Sequence, residues 1–218
     1  MIFQKVLKGI ADLQEPEIRN IISQSGIISN WWRKKGGITN GEIKDELTEQ
    51  NLMNHLNHYN KKLPVSHKWA KLGQTYGDVS PFISTTAGAI QRDKAKKMNI
   101  IYPTFITALK FATKNFKTNG CIFYTYLKVL GKESIPMRSF SEEVRELNIY
   151  RTFMPYHHQG EITAKIHIPS VAIEKAEIYD GKKAAKELSN GIDPIPIKTI
   201  MNKDYVNPDS YSNIRNYF

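Results

Sequence analysis

The sequence predicts an α+β fold, and three observations predict it. Apolar residues at helical spacing dominate residues 1 to about 62. Beyond them, alternation of strand type returns at irregular intervals, with helical stretches between. No regular strand–helix repeat runs through the chain, so a doubly wound parallel sheet is not expected. At 218 residues the chain suffices for one core and is short for two, so 1–218 is read as a single domain.

The elements follow in order. Residues 1–62 are the expected helical region: MIFQKVLKGIADLQ has a short apolar face, and EPEIRNIISQ has helical spacing. Thr39-Asn40 stands where a cap would start a long helix through GEIKDELTEQNLMNHLNHY. Trp31 and Trp32 cannot both face one core from a helix, so one is expected at a surface, an interface or a ligand edge.

Near Pro64 the texture changes. LPVSHKW and SPFISTT have the β-branched and aromatic content of short strands. AIQRDKAKKM reads as a helix, as does PTFITALKFATKNF, with Pro103 in its first turn and Asn119-Gly120 as its stop. CIFYTYLKVLG alternates as a strand, Ile122, Tyr124 and Tyr126 on one face and Phe123, Thr125 and Leu127 on the other. SFSEEVRELNIYRTF begins as a helix and leads into the polar aromatic loop MPYHHQG. EITAKIHIP is a second strand, with Ile162, Ala164, Ile166 and Ile168 sharing a face, and VAIEKAEIYDG a third. Residues 63–181 thus form a β-rich body and 182–218 a loop-rich tail.

Composition excludes several classes. Cys121 stands alone, so there is no intrachain disulfide and no cysteine-based metal site. A buried structural thiol in a reducing, cytoplasmic setting is the natural reading. No apolar run approaches the roughly 20 residues that span a bilayer, and the charged N-terminus lacks a small-residue cleavage site. No membrane partner is expected. GxGxxG, GxxxxGK[ST] and GxSxG are absent, and His157-His158 lacks the spaced ligands of a metal site. No metal is expected. The net charge of +10 sets up a field that attracts polyanions, nucleic acid among them.

Two short segments carry the chemistry. One is Phe82-Ile83-Ser84-Thr85-Thr86; the other is Gln159-Gly160-Glu161, at the mouth of a strand that leads into IPSVAIEKAEIY. Together they resemble the arginine-serine-glutamate class of mono-ADP-ribosyltransferases, the cholera- and pierisin-like toxins. That family carries an aromatic followed by Ser-Thr-Ser on one strand and Gln-x-Glu or Glu-x-Glu on a later one. Here the last position of the first motif is Thr86. Ile168-Pro169, Ile173 and Ala176 fit the strand that follows, and the likeness covers residues 63–181.

The resemblance implies an ADP-ribosyltransferase-like mixed β core of two packed small sheets, with NAD⁺ as co-substrate. It makes Glu161 the catalytic carboxylate, oriented by Ser84, with Gln159 facing the acceptor. Phe82, Thr85 and Thr86 would line the nicotinamide pocket. Cleavage of a ribosyl bond passes through an oxocarbenium-like state, which a carboxylate stabilises and a neutral side chain does not. The family's first-strand arginine, which grips NAD, has no counterpart between Arg33 and Arg92. His67, in LPVSHKW, and Arg33 both stand open for that role. Tyr150, Phe153, Tyr156 and Arg151 fall in the family's acceptor-recognition loop, and aromatics interleaved with cations suit a nucleic-acid base.

The expected activity is therefore transfer of ADP-ribose to an RNA or DNA base, in a toxin or defence effector restrained by an antitoxin or regulatory protein. Two other readings remain: transfer to a protein side chain of the asparagine or glutamine type, and a basic nucleic-acid-binding module without catalysis.

Overall fold

The computed structural model describes residues 2–37, 39–87, 89–93, 98–102, 104–129, 142–143 and 161–208. It is α+β, as the sequence predicts, but the N-terminus opens with a strand. β1, Ile2–Ala11, pairs antiparallel along its length with β6, Gly120–Val129. Its apolar residues serve both faces of the sheet. Val6 packs with Phe123 in the main core, and Leu7 packs with Ala108 and Ile122 on the other side. Such a two-sided pattern does not show the simple alternation of a half-buried strand, and its short apolar face reads equally as a helix.

The helical region starts at Glu15. It comprises α1 (Glu15–Asn20), a π-helical turn to Ser25, the short β2 (Ile27–Ile28), α2 (Asn30–Lys35), α3 (Asn40–Glu46) and α4 (Glu49–Asn57). The long helix expected from Thr39 is two helices. Thr39 and Glu42 form a capping box on α3, and Thr48 caps α4 by accepting from the Asn51 amide. That second cap competes with continuation, and the chain breaks at Leu47. Trp31 is fully buried, while Trp32 is half-buried against His167.

LPVSHKW is not a strand. Apart from an isolated bridge between Lys62 and Thr75, the stretch from α4 to β3 (Phe82–Thr86) consists mainly of turns. Pro64 sets one of them, its carbonyl accepting from the His67 amide. AIQRDKAKKM is not a helix either: β4 (Ala89–Asp93) and β5 (Met98–Tyr102) pair antiparallel. α5 (Thr104–Ala112) stops before Asn119, because Lys114, Asn115 and Phe116 all take positive φ. Gly9 lets α5 lie close on β1, since a Cβ there would meet the Ala108 carbonyl oxygen at 2.2 Å.

Glu142–Glu143, expected in a helix, form β7. The expected strand EITAKIHIP divides into β8 (Glu161–Lys165) and β9 (His167–Ile168) at Ile166, whose φ is 65°. The kink turns Ile166 into a second cluster with Trp31 and Phe82, while Ile162, Ala164 and Ile168 stay in the main core. β10 (Ile173–Tyr179) follows as expected. The tail is more ordered than its loop-like composition suggests, with α6 (Gly181–Ser189) and β11 (Lys198–Met201). Among the described residues no helix is long and apolar enough to cross a membrane.

The main sheet runs β11-β10-β6-β1-β3-β8-β7, antiparallel at every contact, beside the two-stranded sheets β2–β9 and β4–β5. Its two halves meet at β1 and β3, which pair at Leu7–Thr86. Past that point residues 8–11 and 82–85 run on unpaired with each other. That parting of the strands is the structural setting of the site.

Candidate functional site

Glu161 is the first residue of β8, opposite Thr86, and Thr86 is opposite Leu7. The three lie in one row across β8, β3 and β1, at the point where the two halves of the sheet separate. The carboxylate is buried, with 7% of the residue exposed. A buried carboxylate is costly without donors, and here they come from three elements.

Thr163, on the same face of β8, donates its hydroxyl to Glu161 Oε1 at 3.1 Å. Ser84, opposite Thr163 in the pairing, also hydrogen-bonds the carboxylate. From α4, His55 brings Nε2 to 3.6 Å from Oε1 and to 2.7 Å from Ser84 Oγ. The other ring nitrogen, Nδ1, lies 2.7 Å from Ser80 Oγ. Burial pushes the Glu161 carboxyl up. The hydrogen bonds and charge of His55, with Ser84 and Thr163, outweigh this and hold it below the ordinary carboxylate range.

β1 adds the cation. Lys8, the first residue past the Leu7–Thr86 pair, is half-buried. Burial pushes its ammonium down to about 8, and attraction to Glu161 acts in the opposite direction.

The remaining residues of the first motif act around this centre. Phe82 is buried with Trp31 and Ile166, and its ring supports His55 at 5.9 Å between centroids. Thr85 is buried and donates to the Ile162 carbonyl at 2.5 Å, tying β3 to β8. Thr86 is buried beside its partner Glu161. Cys121 is buried, its thiol pushed up to about 12 by burial, a structural and not a nucleophilic cysteine.

His67 sits in the turns before β3, edge-on to Tyr76, with Nδ1 accepting from the Trp69 amide. These ring and hydrogen-bond contacts are local to the turns, and Glu46 at the end of α3 acts on it electrostatically. Arg33, on α2, donates to Asn30 Oδ1 at 2.8 Å and lies near Tyr59. Gln159, Tyr150, Arg151, Phe153 and Tyr156 lie outside the described residues, as do His157 and His158.

Sequence reading passed over His55 and Lys8. His55 had one available signal, as a polar residue between Leu52 and Leu56 on the apolar stripe of a helix. Lys8 had none while β1 was read as helical.

No protein-family model matches the chain, and no curated protein does. Among solved structures the chain is similar to EcPltA over 94% of its own length and 88% of that chain, at 15% identity and a TM-score of 0.48. It is also similar to the catalytic domain of the mosquitocidal toxin from Bacillus sphaericus, at 13% identity and a TM-score of 0.41. That match takes in 96% of this chain and 59% of the other. Neither likeness decides the chemistry.

Proposed function

We propose that the protein is an NAD-dependent mono-ADP-ribosyltransferase that modifies a nucleic-acid base, with Glu161 as its catalytic carboxylate. The observation that carries this reading is the Glu161 carboxylate, ionised though buried, held by Ser84, Thr163 and His55 where the sheet halves part. It agrees with the family resemblance of the Ser84 and Glu161 segments.

The donor set fits NAD⁺ as the substrate. Glu161 offers negative charge to a ribose whose carbon becomes positive as the nicotinamide bond breaks. Ser84 and His55 fix the carboxylate's orientation. Lys8, interacting with Glu161 yet on a different strand, supplies the cation that a pyrophosphate requires. It takes the place for which the sequence offered His67 or Arg33. Gln159 is assigned to the acceptor, whose attacking nitrogen forms the new bond to ribose, loses a proton and releases nicotinamide.

Transfer to a base rather than to a protein side chain is favoured by the +10 charge. Purified protein incubated with labelled NAD⁺ and cellular RNA, DNA and protein in parallel tests the reading. We expect label in one nucleic acid, absent with Glu161→Gln. Label in protein alone would redirect the acceptor, and wild-type labelling by Glu161→Gln would refute the catalytic assignment.

A further inference from the structure

Beside the carboxylate network stands a partly exposed aromatic ring. Tyr59 follows α4 and is 41% exposed. Its ring meets His55 edge-on, with centroids 5.4 Å apart and planes at 80°. The phenol feels the charges of Asp78, Arg33 and Glu161.

The ring is fixed from behind. Gly77 lies against it so closely that a Cβ there would stand 2.5 Å from Cε1 and 2.7 Å from Cδ1 and Cζ. Asn30 clamps the assembly, its amide donating to the Tyr59 hydroxyl at 3.2 Å and to the Gly77 carbonyl at 2.9 Å. Arg33 in turn donates to Asn30 Oδ1. Exposed tyrosines ordinarily keep rotamer freedom, whereas this one is set before any ligand arrives.

Arg33 is exposed, and among the described residues no carboxylate pairs with it. Its neighbours Lys34 and Lys35 are paired, with Asp78 and Glu42. An aromatic face beside an uncompensated guanidinium is the combination that single-stranded nucleic acid takes: a base stacks and an adjacent phosphate meets the cation.

We infer that Tyr59 and Arg33 form the acceptor ledge, on which an unpaired nucleobase stacks against Tyr59 while its phosphate meets Arg33. The inference rests on the transferase reading and names the residues that would present the acceptor to the Glu161 centre. It draws that surface from the helical region, α2 and the end of α4.

The test is fluorescence anisotropy of the full chain with a labelled RNA single strand and a DNA single strand of about twelve nucleotides, a length within the usual site size. NAD⁺ hydrolysis without acceptor is measured alongside. Tyr59→Leu should weaken binding roughly five- to a hundredfold, and by more than it slows hydrolysis. Tyr59→Phe should bind within about twofold of wild type, because stacking survives loss of the hydroxyl. Arg33→Gln should lower the slope of log affinity against log salt by about 1. The tighter of the RNA and DNA arms identifies the acceptor. Unchanged affinity in Tyr59→Leu, or a loss confined to NAD⁺ hydrolysis, overturns the ledge, as does a wild type that binds neither strand. If binding depends on Tyr59 but wild type leaves NAD⁺ intact, the ledge stands and the transferase reading falls alone.

Discussion

Glu161 and Glu177 are both buried carboxylates on strands of the same sheet, one at the start of β8 and the other within β10. Burial pushes each carboxyl up, and nearby donors bring each below its ordinary range. They differ in how their oxygens are occupied. Glu177 Oε1 takes the Lys175 ammonium at 2.6 Å, and Oε2 takes the hydroxyls of Tyr124 and Tyr179, each at 2.6 Å. Lys175 also lies 4.2 Å over the Tyr124 ring. That carboxylate is closed, with its counter-charge in contact.

Glu161 is held more loosely. The His55 and Thr163 contacts both fall on Oε1, at 3.6 and 3.1 Å, Ser84 adds a hydroxyl, and its lysine interacts across the seam. Burial and a depressed pKa therefore do not separate a structural carboxylate from a catalytic one. The two differ instead in how far short bonds saturate their oxygens.

The sharpest way to break this comparison is to remove both charges in turn. Glu161→Gln should cut NAD⁺ turnover about 10²–10³-fold, with a smaller effect on melting temperature than on turnover. Glu177→Gln should do the reverse. It leaves Lys175 without its counter-charge, and we expect turnover near wild type with a fall of about 5–10 °C in melting temperature. Thermal denaturation and NAD⁺ hydrolysis on both variants check this. A Glu177→Gln protein that is stable but inactive would reverse the assignment.

Lys8 separates the two regions in another way, because its burial opposes its charge, whereas the proposed function requires that charge. Burial holds its folded pKa at about 8, against 10.5 for the ordinary group. Between those values the unfolded chain binds the extra proton, so stability should rise with pH across this window. Turnover should fall across the same window as the cation is lost. Lys8→Met should thus raise the melting temperature at neutral pH and depress turnover at least tenfold. Lys8→Arg should push the alkaline limb of the pH–rate profile beyond reach. An unmoved limb in Lys8→Arg would place the titration elsewhere.

What could be read from the sequence follows the same division. Ser84 and Glu161 were legible because their chemistry is local to two strand segments, and the structure joins them through the pairing of β3 with β8. β6, α5 and β10 were legible because each has one clear period. Lys8 was not, because β1 has apolar residues on both faces and only its pairing with β6 makes it a strand. His55 was not, because its contacts with Ser80 and Ser84 arise only when α4 lies against β3. LPVSHKW misled for the opposite reason: its β-branched and aromatic content is real, but a proline-set turn replaces the ladder. His67 lost its expected strand with it.

The smallest expected effects compare one neutral donor on each carboxylate. Thr163→Val removes a 3.1 Å bond to Glu161, and Tyr124→Phe removes a 2.6 Å bond to Glu177. Each loses a hydrogen bond to a charged group, worth about 1.5–3 kcal/mol, and leaves other donors in place. On Glu161 the loss should appear in function. Without the Thr163 hydroxyl, the carboxyl is less strongly held down, so the acid limb of the pH–rate profile should move to higher pH, with turnover at neutral pH reduced less than tenfold. On Glu177 it should appear as a melting temperature lower by a few degrees with an unmoved profile. Should Tyr124→Phe shift the acid limb as Thr163→Val does, the two carboxylates are coupled through the sheet, and oxygen saturation would not be what keeps Glu177 out of the chemistry.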